Sequence, residues 1–272
     1  MKISAADVSK LRNMTGAGMM DSKKALTEAK GDFDAAIDVL RKKGQKLASK
    51  RSDRESLEGA VIAKTSSDQK KGVIISLNCE TDFVSKNDDF VSLAYKLAEH
   101  ALNFKDRDSF LASDFEDISV NEKLLEQTGV IGEKIEIGNF TTLSAEFVGF
   151  YIHAGNRIAA LVGLNQSGEQ SEVVSKNVSM QVAAMNPIAL NESQVNQEIV
   201  DKEIEIAKDQ LRQEGKPENM LDKIAKGKLA KFFKENTLVN QEFIKESKVV
   251  IKDYVSREVP RAEITGFKRV SL

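Results

Sequence analysis

"GVIISLNCETDFVSKNDDF", residues 72–90, changes its hydrophobic period midway, and that change sets the fold. The first part, "GVIISLNC", is rich in β-branched residues, and the two-residue period puts Val73, Ile75, Leu77 and Cys79 on one face of a strand. From Phe90 onward, Leu93, Ala94, Leu97, Ala98 and Ala101 follow a helical spacing. Asn78 and Cys79 therefore finish a strand, Glu80 is expected in solvent, and the following helix should pack on the sheet. Upstream, "GAVIAK" (59–64) and the polar "TSSDQKK" (65–71) supply the other strand and the turn of a hairpin.

The same order recurs. "AEFVGFYIHA" (145–154) and "NRIAALVGLN" (156–165) read as strands around Gly155, and "SEVVSKNVSMQVAAM" (171–185) as a helix with Val174, Val178, Val182 and Met185 inward. "SLN" at 76–78 and "GLN" at 163–165 end the second strand of each unit. Two related hairpin-plus-helix subdomains, from internal duplication, are expected. After them Val200, Ile204, Ala207 and Leu211 form a coiled-coil-like seam. "EGKPE" breaks it, Pro217 starts a second helix, and Leu221, Ile224, Ala225, Leu229 and Phe232 line that helix. This helical hairpin could be an arm for association or could fold onto the body. "VVIKDYVSREV" and "AEITGFKRV" close the chain with helix and strand.

Before the first hairpin stand three short helices. Ser4 and Asp7 make a capping-box start to a helix carrying Val8 and Leu11. "TGAG" (15–18) breaks it, Asp21 sits in the first turn of the next, and Gly31 stops that one. Asp32 opens the third, with Phe33, Ala36, Ile37 and Leu40 on one face and Gly44 as its expected stop. "QKLASKRSDRESLE" (45–58) is charged and reads as a partly helical linker.

Composition narrows the functions. Forty basic and forty-two acidic residues leave a net charge of -2 over 272 residues, which argues against nucleic acid as the main ligand. One cysteine and two histidines, His100 and His153, far apart in the chain, give metal chemistry little to work with. The N-terminus lacks the apolar core of a signal peptide, and no stretch reaches the roughly 20 apolar residues of a membrane span. A cytoplasmic protein without cofactor, membrane or direct nucleic-acid contact is expected.

Several residues have a plainer role beside the functional one. Cys79 as a nucleophile competes with its place on an apolar strand face, where a free cysteine behaves as a small buried hydrophobe. Glu80 and Asp82 could pair as acid and base, but nothing completes a metal set around them. "TGAG" lacks phosphate-loop spacing and suits a tight helix–helix turn. The run Arg41, Lys42, Lys43, Lys46, Lys50, Arg51, Arg54 is followed by acids and reads as a solvated face. Met19 and Met20 are adjacent, so both cannot face the small core equally: either one is exposed for a partner, or one is buried and the other partly covered. Phe83 is undecided: burial statistics favour the core, whereas its polar neighbours and its place between strand and helix suit a presented wedge.

The sequence resembles the bacterial elongation factor Ts family. The resemblance rests on "LRNMTGAGMMDSKKALTEAKGD" (11–32), "NCETDFVSKNDDF" (78–90), "IGEKI" (131–135), "YIHAGNRIAALV" (151–162), "GKP" (215–217) and "AEITGF" (262–267), in order along almost the whole chain. It implies an α+β fold with an N-terminal three-helix ubiquitin-associated-like module, a core of two related subdomains and an inserted helical hairpin. It also implies a guanine-nucleotide exchange factor that is not an enzyme and whose partner is elongation factor Tu, GDP-bound and nucleotide-free. By direct match, Asp82 and Phe83 contact the partner's nucleotide-binding domain, and Thr81, Asp82, Phe83 and Val84 form the loop that dislodges the partner's Mg²⁺. Arg12, Met19, Met20 and Lys23 match contacts of the N-terminal module, and Ile131, Gly132 and His153 match contacts of the core. Departures are Ser22 in place of the family's usual cysteine, "HAGNRI" around His153, and an end soon after "GFKRV".

The expected division is 1–45 for the helical module, 46–57 linker, 58–140 first core subdomain and 141–193 the start of the second. Residues 194–235 form the helical hairpin, with a homodimer through it as one possibility, and 236–272 complete the second subdomain. The alternative function is an interaction scaffold that leaves nucleotide untouched.

Overall fold

The computed structural model describes residues 3–272. Along the chain, α1 (Ala5–Thr15), α2 (Met19–Glu28) and α3 (Phe33–Arg51) precede the hairpin of β1 (Glu58–Thr65) and β2 (Lys71–Cys79). A one-turn helix, α4 (Asp82–Ser85), leads into α5 (Asp88–Ala101) and α6 (Arg107–Ala112). Next come the short β3 (Asp114–Phe115) and β4 (Ile118–Ser119), then α7 (Val120–Ile131) and β5 (Glu136–Ser144). β6 (Phe147–Ile152), β7 (Ile158–Leu164) and α8 (Ser171–Met185) form the second unit. The chain ends with α9 (Gln197–Gln213), α10 (Glu218–Asn236), α11 (Ile251–Glu258) and β8 (Ile264–Ser271).

Two three-stranded antiparallel sheets, β1-β2-β5 and β6-β7-β8, organise this mixed α+β fold. On the outer face of the first sheet, Val73, Ile75, Leu77 and Cys79 meet Phe90, Ala94, Leu97 and Ala98 of α5. The outer face of the second packs Ala160, Val162 and Leu164 against Val174, Val178 and Val182 of α8. The inner faces meet each other through Val61, Ala63 and Ile74 on one side and Val148, Ala159 and Leu161 on the other. A sheet covered on both faces needs apolar residues at successive positions. That is why "AVIA" and "VIIS" run without polar alternation, and why β2 is buried from Gly72 through Cys79. Met185 is a correction: it lies 47% exposed at the end of α8, one turn past the sheet that covers Val182.

The N-terminal helices follow their sequence signals. The Ser4–Asp7 capping box forms, and Gly16 ends α1 in the left-handed conformation, its N–H donating to the Arg12 carbonyl at 2.7 Å. Leu11, Leu26 and Ala36 fill the small core. Gly44 overturns its expected role: α3 does not stop there but runs to Arg51, taking in the start of the expected linker. Gly44 is instead where α3 crosses α7. A Cβ on Gly44 would stand 2.7 Å from the Leu125 carbonyl oxygen, and one on Gly129 would stand 2.7 Å from the Gly44 Cα. Two missing side chains let two backbones touch, which seats the helical module on the core.

β5 pairs along β2 and passes through residues 140 and 141, where a boundary was expected. The chain leaves the first sheet only at Ser144. α9 and α10 form an antiparallel pair around Ala207, Leu211, Leu221 and Ala225. No helix among the described residues is long and apolar enough to cross a membrane.

Candidate functional site

The segment between β2 and α5 is built to hold still. Thr81 is extended (φ -125°) and caps α4 from the N-terminal side, so Phe83 stands on the first turn of a short helix. Glu133, in the turn after α7, takes the N–H groups of Glu80 and Thr81 on one carboxylate oxygen, both at 3.0 Å. Its other oxygen accepts the Thr81 hydroxyl at 2.6 Å. Glu80 returns the contact, accepting the Lys134 N–H at 2.7 Å. The two turns are thus clamped reciprocally.

Glu80 is not solvated, which corrects the sequence expectation. Its side chain is 12% exposed and also binds Arg51 at 2.6 Å and Arg54 at 2.9 Å. Burial by itself would raise its pKa. The Lys134 N–H and the two guanidinium groups outweigh burial and hold the carboxyl at about 2. Arg51 and Arg54 are therefore not a free basic face either, and Lys43 pairs with Asp21 at 2.5 Å.

From this clamp Phe83 projects into solvent, 84% exposed. Such exposure of a large aromatic on a fixed element is the signature of a contact surface rather than of a core residue. Asp82 is paired to Lys86 at 2.7 Å, and that hydrogen bond lowers its pKa. Phe83 and Val84 form one wall of a groove of about 630 Å³. Phe90, Leu93 and Ile131 line it further in, and Met14 and Gly16 close it from the helical module. Lys96, Glu116, Lys123 and Glu126 give it a charged rim.

The remaining matched residues fall on two other surfaces. Arg12, Met19, Met20 and Lys23 are exposed on α1 and α2, with both methionines free, at 47% and 64%. His153 is exposed in the β6–β7 turn, where its Nδ1 lies 3.0 Å from the Tyr151 hydroxyl. It does not line the groove. Gly132 ends α7 in the left-handed conformation beside Glu133. Cys79 is fully buried against α5, and burial pushes its thiol up to about 12. A thiol so placed is not a nucleophile at neutral pH. Sequence reasoning missed Glu133 and Lys134, and it placed Arg51 and Arg54 on a solvated basic face without their pairing to Glu80. For Glu133 and Lys134 the signal was the "IGEKI" stretch, which marked the place but not the clamp.

An apolar side chain held out of a rigid scaffold, beside a groove with an apolar floor and charged rim, is the geometry of a protein-recognition factor. The comparisons give that class its family. The model of the family described as Elongation factor TS matches residues 80–272. Elongation factor Ts of Christiangramia forsetii is 64% identical over 271 residues, covering 100% of this chain and 99% of that protein. Those of Flavobacterium psychrophilum and Porphyromonas gingivalis are 58% and 42% identical, with coverage of at least 98% on both sides. The chain belongs to the elongation factor Ts family. It is a nucleotide exchange factor of translation elongation, its partner is elongation factor Tu, and it is not an enzyme.

Proposed function

We propose that the chain releases GDP from elongation factor Tu by driving the Thr81–Val84 turn, with Phe83 as wedge, into the partner's nucleotide-binding domain. The observation that carries this reading is Phe83 itself, 84% exposed on a turn that Glu133 and Glu80 hold fixed. Exchange requires no covalent chemistry. A factor that binds the nucleotide-free partner more tightly than the GDP-bound one must weaken GDP by the same factor. A wedge meets that requirement if its pocket opens fully only when the partner's metal and phosphate groups have shifted. Asp82 accompanies Phe83 at this contact. Arg12, Met19, Met20 and Lys23 supply a second contact from the helical module, and Ile131, Gly132 and His153 supply others from the core.

The wedge has a magnitude. Burying a phenylalanine side chain that was in water is worth roughly 2–3 kcal/mol. Phe83→Ala should therefore lower kcat/KM for GDP release by roughly 30- to 150-fold, while an exposed side chain costs the fold little. Stopped-flow release of fluorescent GDP measures this. An unchanged rate would remove the wedge role and leave an interaction scaffold.

The same reading takes the N-terminal helices as a ubiquitin-associated-like module and the two sheet-plus-helix units as products of duplication. It assigns the site of action to the cytoplasm. The α9–α10 hairpin, with Ile199, Ile206 and Met220 at 39–46% exposure, serves as a homodimer contact. Light scattering of the chain alone tests that contact, and a monomer at all concentrations would dismiss it.

A further inference from the structure

We infer that Glu133 is a positioning residue for nucleotide exchange, acting through Phe83 by holding the Glu80–Thr81 backbone. The inference rests on the wedge reading above. Thr81 occupies the N-cap position of α4 but gives the helix no side-chain hydrogen bond, and the local side-chain bonds, from Ser85 and Lys86 to Asp82, tie the turn to itself and not to the scaffold. Four residues make too short a helix to persist unaided. What anchors its N-terminal end to the core comes from the turn after α7: the Glu133 carboxylate, with two backbone N–H groups and one hydroxyl as donors. Bonds to an ionised acceptor are the stronger kind.

Glu80 completes the arrangement from the other side. It ties Lys134 back to the turn and recruits Arg51 from the last turn of α3 and Arg54 from just beyond it. The turn that bears Phe83 is thereby held by two carboxylates, neither of which needs to reach the partner. The advantage is entropic: an exposed aromatic on a mobile turn must be ordered as it binds, whereas a clamped one is already in place. Glu133 thus governs how often Phe83 is found in the inserting geometry.

The test is a double-mutant cycle in the full chain, read by GDP release from the partner. Glu133→Ala removes all three bonds and should lower kcat/KM by roughly 10- to 100-fold. Glu133→Gln, which keeps shape and one acceptor, should fall between. In a Phe83→Ala background both substitutions should change the rate by less than about twofold, because the group they position is gone. Thermal melting of Glu133→Gln keeps the test meaningful if Glu133→Ala fails to fold. Equal fold-losses in both backgrounds would mean that Glu133 touches the partner or merely supports the fold, and would overturn the inference. So would full activity of Glu133→Ala beside a defective Phe83→Ala. Full activity of Phe83→Ala alone would sink the wedge reading and this inference with it.

Discussion

Gly44→Ala is the perturbation whose outcome the structure fixes most sharply. Glycine inside a helix is ordinarily a weakness, and replacing it with alanine gains roughly 1 kcal/mol. At Gly44 the new Cβ would stand 2.7 Å from the Leu125 carbonyl oxygen and 3.5 Å from the Gly129 Cα, all backbone atoms of α7. Backbone cannot swing aside as a side chain can, so α3 must lift from α7 by several tenths of an ångström. Overpacking of this kind costs typically 1–3 kcal/mol. With the upper part of that range set against the propensity gain, a net loss of roughly 2 kcal/mol is expected. Gly227, in the middle of α10, supplies the control, because a Cβ there meets nothing within 4 Å. Gly227→Ala should stabilise its helix by roughly 0.5–1 kcal/mol. Amide hydrogen exchange resolves the two locally, which matters in a chain of several packed units. Faster exchange in α1–α3 and α7 for Gly44→Ala, with slower exchange in α10 for Gly227→Ala, is the expected pair. Stabilisation by both substitutions would refute the backbone crossing as the contact that seats the module.

Two further outcomes follow from the clamp and its neighbour. Glu80 is held down from its ordinary 4.5 to about 2, so the stability it contributes is present above pH 4.5 and disappears as pH falls toward 2. The difference in urea midpoint between the native chain and Glu80→Gln should therefore shrink through that window, and a difference independent of pH would contradict the pairing. Cys79, fully buried with its thiol pushed up to about 12, should resist alkylation in the native chain and react only after denaturation. Rapid labelling at pH 7.5 with retained structure would show that the β2 face opens.

How much of this could be read from the residues differs by element. Helices α5 and α8 announced themselves through period, because one face of each meets a core, and strands β1, β2, β6 and β7 as short apolar runs between turns, because both faces of their sheets are covered. β5 did not. "EIGNFTTLS" is polar for a strand and lies along only one neighbour, β2, so hydrogen bonding to that strand places it where hydrophobicity does not. Gly44 is ambiguous in the sequence, because a glycine after lysines matches a helix stop as well as it matches a crossing, and only the partner helix distinguishes them. Glu80 was misread for the same kind of reason. Its partners lie 26, 29 and 54 residues away, and no spacing rule reports contacts that tertiary folding creates. Phe83 was visible as a question, since the residues alone left core and wedge both open. Its 84% exposure removes the core reading.

On the proposed wedge mechanism, this chain discriminates between two states of its partner through one aromatic side chain. Linkage makes that measurable without kinetics. The affinity of the chain for nucleotide-free and for GDP-loaded elongation factor Tu should be determined by calorimetry, for the native chain and for Phe83→Ala. The native chain should prefer the nucleotide-free partner strongly, and Phe83→Ala should lose roughly 30- to 150-fold of that preference, mainly by weaker binding to the nucleotide-free form. An unchanged preference, with both affinities reduced alike, would show that Phe83 merely adds contact area and that exchange is driven from elsewhere on the surface.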